Sequence, residues 1–234
     1  MLVSAIMPTR ARPLLSQTAL NCWRSQAWPD KELIILDDAD DLSFPAPPNG
    51  PGVRYYRALK RTIGAKREWL CAQAQGEVII HFDSDDWSDP GRIDEQVSLL
   101  LTSGRPMTGY HSLLFWDMRN AVGYRWKGPE GFAVGTSMCY TREFWKSHRW
   151  PEYSGLPSHP RLEATDVEVA RTAQKHGGVA TLDGRQMCIA RAHSSNTSTA
   201  RNISRVGWPK VKNEAFPAAF FAALDMEGME KRAA

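Results

Sequence analysis

The chain has 234 residues, enough for one large α/β domain or two small ones with a proper core. Apolar residues at 42% and charged residues at 24% exclude a fibrous or disordered chain, and a net charge of +3 is too small to argue for nucleic acid by itself. Four cysteines, no two of them close in sequence, exclude a zinc or redox motif and imply reduced thiols and a cytoplasmic setting.

The opening MLVSAIMPTRARP has a short apolar run with no positive charge ahead of it and breaks at Pro8, so it does not read as a secretory signal. LVSAIM (2–7) predicts a buried strand and LLSQTALNCWRSQ (14–26) a helix. ELIILDD (32–38) predicts a second strand, and the Pro- and Gly-rich 42–52 a loop. VRYY (53–56) is a short strand. IGAKREWLCAQAQG (63–76) is a helix with Gly76 as its C-terminal cap, and EVIIHF (77–82) a third long strand. Strands that are apolar throughout and separated by helices imply a parallel sheet covered on both faces, with ligands at the carboxyl ends of the strands.

The second half is more mixed. Residues 106–126 predict strands with a turn near Arg119-Asn120. EATDVEVARTAQKHGG (163–178) is a helix stopped at Gly177, followed by strand-like VATL (179–182) and QMCIAR (186–191). From Thr199 the tail is basic and then apolar. Its run FPAAFFAAL (216–224) is too short to span a membrane and fits a short amphipathic helix. No linker divides the chain into independent domains.

The third long strand runs into HFDSDDWSDP (81–90), where Asp83, Asp85, Asp86 and Asp89 crowd together. Like charges at the end of a core strand are costly unless something cationic sits among them. Asp83-Ser84-Asp85 is a D-x-D pattern, and hard divalent ions such as Mg²⁺ or Mn²⁺ take oxygen ligands of this kind together with substrate phosphates. As a bare pattern it is equally a solvated acidic turn.

VSAIMPTRARP, ELIILDDADD and GAKREWLCAQAQGEVIIHFDSDDWSDPGRI together resemble glycosyltransferase family 2, of GT-A fold. The order and spacing agree over residues 2–101, including the nine residues from Arg67 to Gly76. The resemblance implies an α/β, Rossmann-like and mostly parallel sheet flanked by helices, with a smaller mixed acceptor-side region. Residues 1–105 would bind the nucleotide sugar, 106–200 would bind the acceptor and supply the base, and 201–234 would be the tail. It implies Thr9 in the base pocket, Asp38 on the uracil-type base edge, Arg67 near base and diphosphate, and Asp83 on the ribose or the metal. Asp85 would ligate Mn²⁺ or Mg²⁺ on the diphosphate of a UDP-sugar. In EATDVEVAR it implies Asp166 as general base, with Glu163 as the fallback. In RAHSSNTS it implies His193 as a further metal ligand. GTSMCYTREFW (135–145) resembles the acceptor-side wall, with Trp126, Trp145 and Trp150 as candidate stacking surfaces.

The sequence departs from the family at Arg10, at Ala39-Asp40 and at Glu68, which leaves base identity and donor geometry open. The acceptor is open as well. Arg185, Arg191, Arg201, Arg205, Lys210 and Lys212 surround Trp208 with no acid among residues 185–212, a composition that suits a nucleic acid, an acidic glycan, a glycolipid or the donor's own diphosphate. A viral-type DNA-base glycosyltransferase and a non-catalytic nucleotide-sugar-binding module are the alternative readings. A nucleotidyltransferase is disfavoured because PTRARP has no glycine-rich phosphate loop.

Overall fold

The computed structural model describes residues 1–41, 43–44, 47–151, 164–194, 196, 203 and 207–233. Strand β1 (Val3–Thr9) lies between β2 (Lys31–Asp37) and β4 (Val78–His81), parallel to both, and β3 (Val53–Arg57) adds in parallel outside β2. The chain therefore builds outward through β2 and β3 and returns to the far side of β1. That reversal opens a crevice at the carboxyl ends of β1, β2 and β4.

Beyond β4 the sheet becomes mixed. Strand β8 (Cys139–Thr141) runs antiparallel between β4 and the long β6 (Met107–Asp117). Strand β6 also pairs antiparallel with β7 (Val122–Lys127) and parallel with β9 (Val179–Asp183) and β10 (Cys188–Ala192). Two short strands, β5 (Trp87–Ser88) and β11 (Lys210–Val211), pair with β10 and β7. The expected α/β architecture holds, with parallel strands at its core and antiparallel pairing concentrated in the second half.

Alternation along the central strands feeds two cores. Val3, Ala5 and Met7 of β1, Leu33 and Ile35 of β2, and Val78 and Ile80 of β4 share one face. Ile6, Ile34, Leu36 and Ile79 share the other. Each such side chain contributes about 1.5–3 kcal/mol when fully buried, so a sheet apolar on both faces requires helices on both. Helices α1 (Pro13–Arg24) and α3 (Arg92–Ser103) cover the first face. Helices α2 (Ile63–Gln73), α4 (Arg142–Ser147) and α5 (Ala164–Lys175) cover the second.

The apolar tail forms α6 (Ala218–Ala233). Phe216 and Phe220 pack edge-on against Trp116 at 5.3 and 5.9 Å, so this run completes the first core. Among the described residues no helix is long and apolar enough to cross a membrane.

Gly76 is not the cap of α2. That helix ends at Gln73 and its cap is Ala74 in extended backbone. Gly76 instead lies against β1, where its N–H donates to Ser4 Oγ at 2.8 Å. A Cβ there would meet Leu2 O at 2.6 Å and Ser4 N at 2.8 Å. Because backbone is what it would strike, Gly76→Ala is expected to cost about 1–3 kcal/mol in denaturant unfolding. A loss below about 0.5 kcal/mol would show that β1 yields freely at this point.

Candidate active site

The two aspartates at the end of β2, Asp37 as its last residue and Asp38 just after it, have different tasks. Asp37 is fully buried and accepts hydrogen bonds from Ala39 N (3.0 Å), Ser43 N (2.9 Å), Ser43 Oγ (2.7 Å) and Tyr55 Oη (2.6 Å). Burial pushes its carboxyl upward, but these donors outweigh it and hold the group below the usual carboxylate range. Asp37 thus anchors the loop after β2. Asp38 faces the cavity, where it accepts from Lys66 Nζ and from the Arg61 backbone N–H, both at 2.8 Å. Lys66 is buried, which lowers its pKa against the pull of Asp38, and it also reaches Thr9 O at 3.3 Å. Thr9 lines the same wall with its hydroxyl shared with Ser16 Oγ at 2.9 Å.

The acidic stretch after β4 divides similarly. Asp83 faces Arg67 Nη2 at 3.3 Å, and Arg67 Nη1 donates to Asp166 Oδ1. Arg67 is buried with its guanidinium 5.2 Å from the Trp150 ring. Burial alone would lower its pKa, but Asp166 and Asp83 together raise it. Asp85 Oδ2 accepts from Arg12 Nη1 (2.7 Å), His193 Nε2 (3.0 Å) and Asn196 Nδ2 (3.1 Å). Asp86 is buried against Thr136 Oγ1 (2.5 Å) and the Arg191 N–H (3.0 Å). Burial, then the charges of Asp85 and Asp83, push Asp86 up to about 8. Asp89 accepts from Gly91 N at 2.8 Å, shaping the entry to α3.

Two buried arginines brace this loop from beneath. Arg92 donates to His81 O and Thr136 O, both at 2.8 Å, and Arg191 donates from Nε to Asp85 O at 2.5 Å. Arg191 is therefore interior structure rather than part of a cationic surface. Arg185 pairs with Asp183 at 3.0 Å, Lys210 and Lys212 are exposed elsewhere, and Arg201 and Arg205 lie outside the described residues. Of the described members of the basic run, Arg191 is buried and Arg185 is ion-paired.

Asp166 enters from the first turn of α5. Burial raises its pKa, Arg67 opposes this, and the charge of Asp83 adds to it. The carboxylate rests directly on Gly135, where a Cβ would collide with it. Gly135 O accepts from His81 Nδ1 at 2.7 Å, leaving His81 Nε2 to accept from Tyr140 Oη at 3.1 Å, which in turn accepts from Trp150 Nε1 at 2.9 Å. Full burial, with Arg67 nearby, keeps this imidazole neutral. Glu163, the fallback base, lies outside the described residues.

These groups border one cavity of about 790 Å³. Its lining combines cations, Arg10, Arg12, Lys60, Arg61, Lys66 and Arg67 from the first half and Arg191 from the second, with the aromatic Phe115, Trp126, Phe132 and Trp208 of the second half. Phe115 and Trp208 meet at 4.8 Å with their planes 57° apart. Of the tryptophans considered for stacking, Trp126 lines the cavity, while Trp145 and Trp150 belong to the second core. Trp145 Nε1 and Trp150 N both bond Glu68 Oε2, at 2.8 and 3.0 Å, which accounts for the acid after Arg67.

Among the described residues no three His, Cys, Asp or Glu side chains converge as a ready metal site. Asp85 and His193 touch, and Asp83 borders the same cavity while turned toward Arg67. Two carboxylates and an imidazole suit a hard divalent ion when phosphate oxygens supply further ligands. The donor set therefore fits Mg²⁺ or Mn²⁺ on the condition that Arg12 leaves Asp85.

Thr9, Asp38, Arg67, Asp83, Asp85 and Asp166 all meet at this cavity. Sequence reading missed Arg12, Lys66, Asn196 and Gly135. Lys66 adjoins Arg67 in the motif itself, and Gly135 opens GTSMCYTREFW, so both had a local signal. Arg12 meets a carboxylate 73 positions away, and no local pattern announces that.

The fold is shared with solved structures. The S. aureus TarS 1–349 structure in complex with UDP-GlcNAc superposes with a TM-score of 0.64 at 14% identity over 84% of this chain and 60% of that one. TarS 1–349 in complex with UDP gives 0.63 at 15% over 83% and 61%. The mannosyltransferase PcManGT from Pyrobaculum calidifontis, in complex with GDP-Man and Mn²⁺, gives 0.62 at 13% over 83% and 58%. The chain thus spans about three fifths of the length of these chains and 37% of a longer TarS chain. No curated protein sequence matches it. A mixed sheet with parallel core strands, matched in this way, places the fold among GT-A transferases. The chain belongs to glycosyl transferase family 2, whose profile matches residues 4–145.

The neutral, buried His81 has a consequence for pH. Above 6.5, its ordinary value, the unfolded chain's histidine is neutral too and the stabilisation is fully present. As pH falls below that, the unfolded state takes up a proton that the folded state refuses, and stability drops by about 1.4 kcal/mol per pH unit from this one group. Denaturant curves at pH 6.5 and 5 are expected to diverge for the wild type by roughly 2 kcal/mol more than for His81→Gln. Parallel losses in the two proteins would show that His81 is not held neutral.

Proposed function

We propose that the protein is a metal-dependent, inverting glycosyltransferase that moves a sugar from a nucleoside-diphosphate donor, of UDP type, to an acceptor hydroxyl. The observation that carries this reading is Arg67. It joins Asp166, the base, to Asp83 beside the donor site, within one cavity. The nucleotide sugars bound by TarS and PcManGT, and the Mn²⁺ of the latter, support the donor class.

In this reading residues 1–105 hold the donor, with the base against Thr9 and Asp38, and residues 106–200 hold the acceptor. Asp85, Asp83 and His193 would hold the divalent ion, which when bound neutralises charge on the leaving diphosphate. The cationic lining of the cavity receives that diphosphate. The acceptor lies against the aromatic lining, where tilted rings cup the apolar face of a sugar. A glycan acceptor is favoured over nucleic acid because burial of Arg191 and the ion pair of Arg185 take both out of a free cationic surface. Asp166 takes the proton of the acceptor hydroxyl as its oxygen attacks the anomeric carbon and the bond to the diphosphate breaks. Its raised pKa makes it a stronger base, and Arg67 fixes its orientation. One displacement inverts the anomeric carbon, so a single base suffices. A binding module would have no use for Asp166 beside the acceptor wall.

Asp166→Asn is expected to lower transfer by about 10²–10⁴-fold while nucleotide affinity by calorimetry stays within a few-fold. Mass spectrometry of UDP- and GDP-sugars incubated with protein and Mn²⁺ supplies the donor for that assay. Normal turnover by the variant would remove Asp166 from the mechanism.

A further inference from the structure

Asp85 is a buried carboxylate whose Oδ2 already carries a cation, the guanidinium of Arg12 at 2.7 Å. A buried carboxylate cannot be left uncompensated, and Arg12 meets that need. A divalent ion cannot take the same oxygen while the guanidinium holds it, since the two positive charges repel.

The surroundings allow the guanidinium to move while its backbone stays. Ala11 N–H donates to Ser43 Oγ at 2.8 Å, and Ser43 is held in turn by Asp37. Ser16 N–H closes the first turn of α1 on Arg12 O at 2.8 Å. Ala11 itself sits at φ 49°, a left-handed conformation that a non-glycine residue keeps only when its surroundings impose it. Arg12 is thus presented from a pinned turn on a long side chain that lines the donor cavity. A diphosphate entering that cavity offers the fork of a guanidinium a pair of anionic oxygens.

We infer that Arg12 couples the metal to the donor: it guards Asp85 in the empty protein, and it exchanges that carboxylate for the diphosphate when metal and nucleotide enter together. This rests on the donor site proposed above. The consequence is ordered chemistry, with the divalent ion bound weakly until a nucleoside diphosphate gives Arg12 another partner.

The test is Mn²⁺ binding to the full chain, read from the free-ion signal in electron paramagnetic resonance, with and without UDP or GDP. Wild-type protein is expected to bind Mn²⁺ weakly alone and more tightly with the nucleotide. Arg12→Gln is expected to bind Mn²⁺ alone about tenfold tighter, the effect of removing one charge at contact distance, and to lose a matching part of the nucleotide's enhancement. Arg12→Lys keeps a competing charge without the fork. It is expected to bind Mn²⁺ alone as weakly as the wild type, yet to gain less from nucleotide. Arg12→Gln with wild-type Mn²⁺ affinity, or Arg12→Lys with the full enhancement, overturns the inference while the donor site stands. Failure of both nucleotides to bind wild-type protein with Mn²⁺ overturns the donor site and this inference with it.

Discussion

One buried guanidinium holds the two halves of the site in register. Arg67 comes from α2, Asp83 follows β4 and Asp166 begins α5, so three elements far apart in sequence meet in one ion triad. Two carboxylates this close would repel each other, and each would favour protonation, without the positive charge between them. Breaking such a buried arrangement from one side costs ~3–5 kcal/mol, because the remaining partners keep their desolvation without their compensation. The Trp150 ring beside Arg67 and the Gly135 backbone beneath Asp166 leave little freedom for any other geometry.

The same logic repeats around the cavity. Four of the acids at its wall have a cation assigned from a different element: Lys66 for Asp38, Arg67 for Asp83 and Asp166, Arg12 for Asp85; Asp86, the fifth, is instead held by Thr136 and a backbone N–H and pushed toward protonation. Asp37 and Arg92, which do not line the cavity, are frame: Asp37 ties its loop and Arg92 fills hydrogen bonds under the acidic turn, where Arg191 joins it while also bordering the cavity. On the proposed reading, a diphosphate with its metal would exchange partners with these pairs instead of stranding a charge.

The sheet was legible because its central strands are apolar on both faces, as in LIIL and VIIH, and nothing but a covered parallel sheet buries them. The acidic residues at the strand ends were legible as a site for the same reason, since burial forces them to find partners. Residue type alone does not separate Asp37 from Asp38; the family resemblance pointed to Asp38, and it is the loop returning through Ser43 that makes the first a tie and the second a wall. Gly76 resembled a helix cap because a glycine following a helical pattern usually is one; here the close approach of β1 demands it. The basic run near the end looked continuous because a linear pattern cannot show that Arg191 turns inward. Arg12 was invisible because its partner is set by the sheet's topology rather than by any local spacing.

The claim underlying all of this is that carboxylates at the tips of neighbouring core strands act with a doubly charged ion on a pyrophosphate. A crystal structure with UDP and Mn²⁺, read by anomalous diffraction at the manganese edge, tests it most directly. The account predicts a manganese peak bonded to Asp85, with the diphosphate between that ion and the cationic wall of Arg12, Lys66 and Arg67. Asp83 and Asp85 turned to bulk water, with no anomalous peak beside them, would contradict it.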